Sequence, residues 1–112
     1  MEPPVPERRR HPRHRALLAA KICYGQRYAM SVDCTVRSLS AGGANLRVLP
    51  THPLPAEFVL LIVGEGVAYD ATIAWRRGDL VGVSLGEPVD LKGAVPERLK
   101  SVRHLWVAVA PL

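Results

Sequence analysis

Arg27-Tyr28-Ala29-Met30-Ser31-Val32-Asp33-Cys34-Thr35-Val36-Arg37-Ser38-Leu39 is the stretch on which the fold turns. Tyr28, Met30, Val32, Cys34 and Val36 alternate with Ser31, Asp33, Thr35 and Arg37. A period of two sends successive side chains to opposite faces, so the stretch predicts a strand with one buried face. Upstream, Leu18, Ala20, Ile22 and Tyr24 alternate within 15–24. Between the two runs, Gly25-Gln26 fits the Gly-x form of a two-residue hairpin turn. Downstream, the strand ends in Ser38-Leu39-Ser40-Ala41-Gly42-Gly43, where paired glycines allow positive φ and a close approach of backbone to a ligand.

The pattern continues along the chain. A short strand is predicted over 44–48, then a loop carrying Pro50, Pro53 and Pro55, then a strand over 58–63. Gly64-Glu65-Gly66 turns the chain into 67–76, where Val67, Tyr69, Ala71, Ile73 and Trp75 share a face. Arg77-Gly78-Asp79 turns it again into 80–85. Six strands with short connections suit an all-β domain, a six-stranded antiparallel β-barrel that closes away its edges, with a β-sandwich as the alternative. Behind Pro96, Leu99, Val102, Leu105 and Trp106 recur at helical spacing and predict a short C-terminal helix of about ten residues. The state of Val107-Ala108-Val109-Ala110 stays open.

The 112 residues suffice for one domain and a tail. Residues 1–14 hold Pro3, Pro4, Pro6 and Pro12 with no periodic apolar face, and read as a mobile basic arm ahead of the barrel and helix in 15–112. The net charge is +5, and the first fifteen residues supply +3 of it through Arg8, Arg9, Arg10, Arg13 and Arg15 against Glu2 and Glu7. Such a run attracts phosphates. No stretch approaches the length of a membrane span and no signal core is present, so a cytoplasmic protein without membrane insertion is expected. Cys23 and Cys34 lie in apolar strand patterns and read as buried free thiols, without the spacing of a zinc site. No metal and no cofactor are expected. His11 and His14 sit among cations, which disfavours a metal there.

Two features carry chemistry: the arginine cluster before the first strand and the Ser- and Gly-rich turn after the second. A hairpin centred on Gly25-Gln26 would set residues near Arg13 opposite residues near Ser38, bringing both to one end of the barrel. Arginine forks bind phosphate, or the O6/N7 edge of guanine, bidentately and stack on base faces. At these residues the chain resembles the PilZ domain family of cyclic di-GMP receptors. The family's Arg-Arg-x-x-Arg stands here as Arg9-Arg10-His11-Pro12-Arg13, and its Asp/Asn-x-Ser-x-x-Gly aligns with Ser38-Leu39-Ser40-Ala41-Gly42-Gly43. Ser40 and Gly43 match, while Ser38 departs from the carboxylate or amide. The resemblance covers roughly 7–106. It implies a bacterial second-messenger receptor that binds cyclic di-GMP, with Arg9, Arg10 and Arg13 clamping phosphates and guanine, and Ser38, Ser40, Gly42 and Gly43 meeting the base.

Other readings compete with this one. An arginine tail is often a solvated arm or a nonspecific nucleic-acid contact, but the few aromatic residues occupy core-like positions, which argues against a nucleic-acid barrel. A family-like adaptor that has lost its ligand would explain Ser38, and a downstream protein partner is expected whose identity the sequence does not disclose. No paired carboxylates, metal ligands or nucleophile with a base can be assembled, so an enzyme is not expected. Ser40 lacks a Gly-x-Ser-x-Gly elbow and reads as a turn-forming hydroxyl. Trp75 reads as barrel core or rim.

Overall fold

The computed structural model describes residues 17–110. The expectations for the arm, and for Arg9, Arg10 and Arg13, fall outside the described residues. Six strands form the wall: β1 (Leu18–Tyr24), β2 (Met30–Ser40), β3 (Gly43–Arg47), β4 (Glu57–Ile62), β5 (Val67–Arg77) and β6 (Leu80–Leu85). Their order is β1-β2-β3-β6-β5-β4, and β4 pairs back onto β1. All these pairings are antiparallel. This is the expected six-stranded barrel. A single ladder runs round without splitting into two sheets, which rules out the sandwich. A two-residue β7 (Val89–Asp90) extends the wall beside the start of β5.

The interior is filled by Ile22, Val36, Leu46, Leu60, Ile62 and Val81, each fully buried. β4 is apolar on both faces. Phe58, Leu60 and Ile62 point into the barrel, while Val59 and Leu61 join Cys23, Ala68, Leu91, Leu99 and Val102 in a second cluster outside it. The second cluster exists because α1 (Lys100–Val109) lies against that part of the wall. The helix has the expected length, and Val107 to Val109 belong to it. Trp106 anchors it: its Nε1–H donates to the Val63 carbonyl at 2.9 Å. Its indole rests on Gly66, where a Cβ would come within 2.7 Å and where φ is +64°.

The β1–β2 connection departs from the expected two-residue turn. The last pair is Tyr24 with Met30, so the loop holds five residues, with a 3-10 turn at Gln26–Tyr28. Arg27 and Tyr28 both adopt the left-handed region, at φ 56° and 55°, which costs about 1–2 kcal/mol per residue. Tertiary contacts hold them there. Tyr28 packs with the helix-side cluster, its hydroxyl accepts from Arg98 Nη1 at 3.3 Å, and the Ser101 hydroxyl donates to the Arg27 carbonyl. Tyr28 therefore leaves the buried face of β2 on which the alternation had put it. Met30 is 56 % exposed.

Candidate functional site

Two β-bulges decide which side chains reach the outer surface. One falls between Val36 and Ser38 in β2, the other between Ile73 and Trp75 in β5. An extra residue resets the inside–outside alternation of a strand. Cys34 and Val36 point inward before the first bulge, and Leu39 does so after it. Ser38 and Ser40 are thereby turned outward. In β5, Ala71 and Ile73 point in, whereas Trp75 comes out to an exposure of 41 %. Trp75 is thus outer surface rather than core.

Residues directly opposite one another in antiparallel strands share a face. The registers therefore set three outer rows across β2-β3-β6-β5. The first is Ser40, Gly43, Ser84 and Thr72; the second is Ser38, Asn45, Gly82 and Trp75; the third is Thr35, Arg47, Leu80 and Arg77. The middle row is built around a missing side chain. A Cβ on Gly82 would lie 2.1 Å from Trp75 Nε1, so the indole lies flat over that glycine. Arg77 stacks on the same ring, with Cζ 5.7 Å from its centroid, within cation–π range. Arg47 is held at the edge by Asp79 at 3.2 Å.

Ser38, Ser40, Gly42 and Gly43 are brought together where β2 turns into β3. Ser38 is the buried polar side chain of this face, with 7 % exposure. The Ser40 hydroxyl donates to the Gly43 carbonyl at 3.2 Å, as a turn-forming serine does. The Gly42 carbonyl accepts from Leu85 N at 3.1 Å. Gly43 is demanded by strand approach, since a Cβ there would stand 2.9 Å from the Val83 carbonyl oxygen. The positive φ expected of paired glycines is not what it supplies.

The hairpin arithmetic needs correction. Paired positions sum to 54 in the ladder, as in Leu18 with Val36, against 51 for a turn centred on Gly25-Gln26. The five-residue loop moves the β1–β2 register by three from the expected one, while Arg13 itself lies outside the described residues. Sequence reading also missed Asn45 and Arg77. Gly82 inside a strand was the available signal, because a strand glycine marks close approach of another group.

The thiols take no part in this face. Burial pushes Cys34 up to about 12 and Cys23 up to about 11, so both stay protonated at neutral pH. Among the described residues no cluster of His, Cys, Asp and Glu could hold a metal, and no helix is long and apolar enough to cross a membrane.

Comparison with curated proteins finds no match to the chain. A family model does match: the PilZ domain, over residues 7–99. The match begins ahead of Arg9, takes in all six strands and stops just before α1. With the barrel closed as described and the match spanning most of its length, the chain belongs to the PilZ domain family.

Proposed function

We infer that the protein is a non-catalytic receptor for cyclic di-GMP, bound on the bare outer face of β2-β3-β6-β5. The family generally binds this dinucleotide and acts through ligand binding or adaptor contacts rather than catalysis. The observation that carries the reading is the middle row, in which Ser38 and Trp75 lie across Asn45 and the side-chain-free Gly82. A flat aromatic surface beside hydroxyl and amide groups is what a purine needs, one side for stacking and the other for its edge. Ser40, Gly42 and Gly43 form the turn at one border of the face. Arg9, Arg10 and Arg13 supply the phosphate clamp, since a cyclic dinucleotide carries two phosphates and Arg-Arg-x-x-Arg is the motif the chain shares with its family. Among the described residues Arg37, at the β2 bulge beside Ser38, and Arg47 and Arg77 along the far row add further positive charge. The bound state then presents a changed surface to a downstream protein partner.

The test is calorimetric titration with cyclic di-GMP, against GTP and a short single-stranded oligonucleotide. Saturable binding of the cyclic dinucleotide alone is expected. Arg9→Ala or Arg13→Ala should weaken it by about a hundredfold or more, the scale of a lost bidentate charged contact. The melting temperature should stay unchanged. A parent protein that binds none of the three compounds would leave the adaptor reading in place, and a variant within about threefold of the parent, well under that scale, would free those arginines of the assigned role.

A further inference from the structure

The barrel wall is closed, but one strand runs on past its neighbour. The lowest pair between β2 and β3 is Thr35 with Arg47, whereas β2 continues down to Met30 with β1 on its other side only. Among the described residues, no backbone hydrogen bond reaches Met30 to Cys34 from outside the β1 ladder. In an antiparallel strand, alternate residues point their N–H and C=O away from a given neighbour. Among the described residues, the segment from Met30 to Cys34 is therefore an open sheet edge.

The opening is held, not incidental. At Val48 the chain leaves β2 and donates its N–H to the Asp79 carbonyl at 2.8 Å. Arg76, moved to the inward phase by the bulge in β5, then fastens the following loop: Nη1 donates to the His52 carbonyl at 2.6 Å, and Nη2 to those of Leu49 and Pro50 at 2.9 and 3.2 Å. Pro50, Pro53 and Pro55 keep that loop from returning as a strand. Between the edge and the loop lies a cleft of about 310 Å³.

We propose that this edge is a β-augmentation site, which takes an extended segment of a protein partner as an added strand beside Met30 to Cys34. The two walls of the cleft state the chemistry of that segment. Inward positions of an added strand would meet Cys34, Leu49 and Pro50, with Leu49 now 71 % exposed. Outward positions would lie beside Asp33, whose side chain is 84 % exposed although Lys21 reaches it, so Asp33 is the acid an added strand meets; Asp79 at the rim is already paired with Arg47. Alternating apolar and basic residues complement both walls. The site is separate from the proposed ligand face and does not depend on it. Two other occupants fit less well. Residues 1–16 include four prolines, which lack the N–H a strand must donate. A second copy carries the same +5 charge, and two five-residue edges offer little area for a stable pair.

The experiment uses the full chain, with amide exchange followed residue by residue. The probes are the capped pentapeptide Lys-Val-Lys-Val-Lys, its backbone N-methylated form, and Glu-Val-Glu-Val-Glu. At ten times its Kd, the lysine peptide should slow exchange of the edge-facing amides between Met30 and Cys34 by roughly tenfold, as mass action requires. The N-methylated form should lose that effect, and Asp33→Arg should shift preference toward the glutamate peptide. Protection by the N-methylated form as strong as by its parent, or spread over the barrel, would overturn the proposal. So would edge protection in the protein alone: if it rises with protein concentration the occupant is a second copy, and if it does not, the chain covers its own edge.

Discussion

The barrel has two kinds of wall. Along β1, β4 and the start of β5 the outer face carries an apolar patch of Cys23, Val59, Leu61 and Ala68, sealed beneath α1 by Leu99 and Val102, with Lys21 and Asp70 at its border. Along β2, β3, β6 and the end of β5 the outer side chains are mostly serine, threonine, asparagine and arginine, with Trp75 and Leu80 among them and glycines between, and among the described residues no helix lies above. Both walls enclose the same interior, so the barrel does not need its outer face to be of either kind. What lies above decides: apolar outer residues are tolerated where a helix removes them from water, and a glycine-floored polar face is left free for recognition. The family match stops at Leu99, so the helix-covered wall is completed by a segment outside it.

The strongest way to break this contrast is to strip the sealed wall. Trp106→Ala removes the indole from Gly66 and its hydrogen bond to the Val63 carbonyl. An aromatic-to-alanine change in a packed site costs about 3–5 kcal/mol, at the low end here because Trp106 is half-buried. Urea unfolding should show that loss while cyclic di-GMP affinity stays within twofold, a margin well under one tenfold step of 1.4 kcal/mol. A parallel loss of affinity would mean that the two walls are coupled and the division is false.

A second test separates the walls by their thiols. Cys34 faces the barrel interior and Cys23 the helix-side cluster. Burial raises both above the ordinary value of 9.0, to about 12 and about 11. The folded state then favours the protonated thiol. Stability is undiminished below pH 9 and falls as pH rises from 9, where the unfolded thiols ionise, toward the folded values. The slope approaches about 1.4 kcal/mol per pH unit for each thiol. Cys23→Ala and Cys34→Ala, measured beside the parent between pH 8 and 11, isolate these contributions from other titrating groups. The Cys34 contribution should persist to higher pH. Variants whose pH profiles parallel that of the parent would mean that the thiols are hydrated.

Much of this architecture was legible in the sequence, and the failures have a common cause. The alternation in β1, β2 and β5, the turns at Gly64-Glu65-Gly66 and at Gly78, and the helix behind Pro96 all follow from local pattern. Local pattern does not reveal a bulge, because one added residue changes facing without changing composition. Trp75 was therefore assigned to the core or rim, and Ser38 could not be assigned to a face at all. Tyr28 failed for a different reason: contacts with Arg98 and the helix-side cluster, seventy positions away at Arg98, pull it into a left-handed conformation that no neighbouring residue requires. Within the candidate site, Ser40 and the glycines were recognisable as a motif, whereas Asn45 and Arg77 became members only through strand register.

Gly82 probes the bare wall directly. In Gly82→Ala the new methyl would occupy the space 2.1 Å from Trp75 Nε1, so the indole must lift. Trp75 is partly exposed and can move without opening the core, so stability should change by less than about 1 kcal/mol, as for surface substitutions. Affinity for cyclic di-GMP should fall about tenfold, the value of one base stacked on an aromatic ring. Trp75→Ala should match it. Unchanged affinity in both would remove the indole from the proposed site.

The smallest effect is expected at Ser38, where the chain departs from its family motif and where two physical terms oppose. Guanine presents adjacent N1–H and N2–H donors; a carboxylate accepts both, a hydroxyl one. On that count Ser38→Asp should tighten binding. The serine, however, is 7 % exposed, in a row whose next positions are Asn45 and the indole-covered Gly82. A carboxylate there is larger and poorly hydrated, so burial raises its pKa and costs stability. A bound guanine would repay part of that cost by donating to it. The balance should be a free protein destabilised by about 1–2 kcal/mol, the scale of burying an incompletely paired polar group, and a gain in affinity of about fivefold, under 1 kcal/mol. Ser38→Asn avoids the charge and should show a smaller destabilisation with a smaller gain. Thermal melts with and without cyclic di-GMP read both terms in one experiment, since the ligand-induced shift should be larger in the variant although its starting temperature is lower. A lowered melting temperature with no added ligand shift would mean that position 38 is a packing site beneath the face, and that recognition of guanine belongs to Asn45 and the turn after β2.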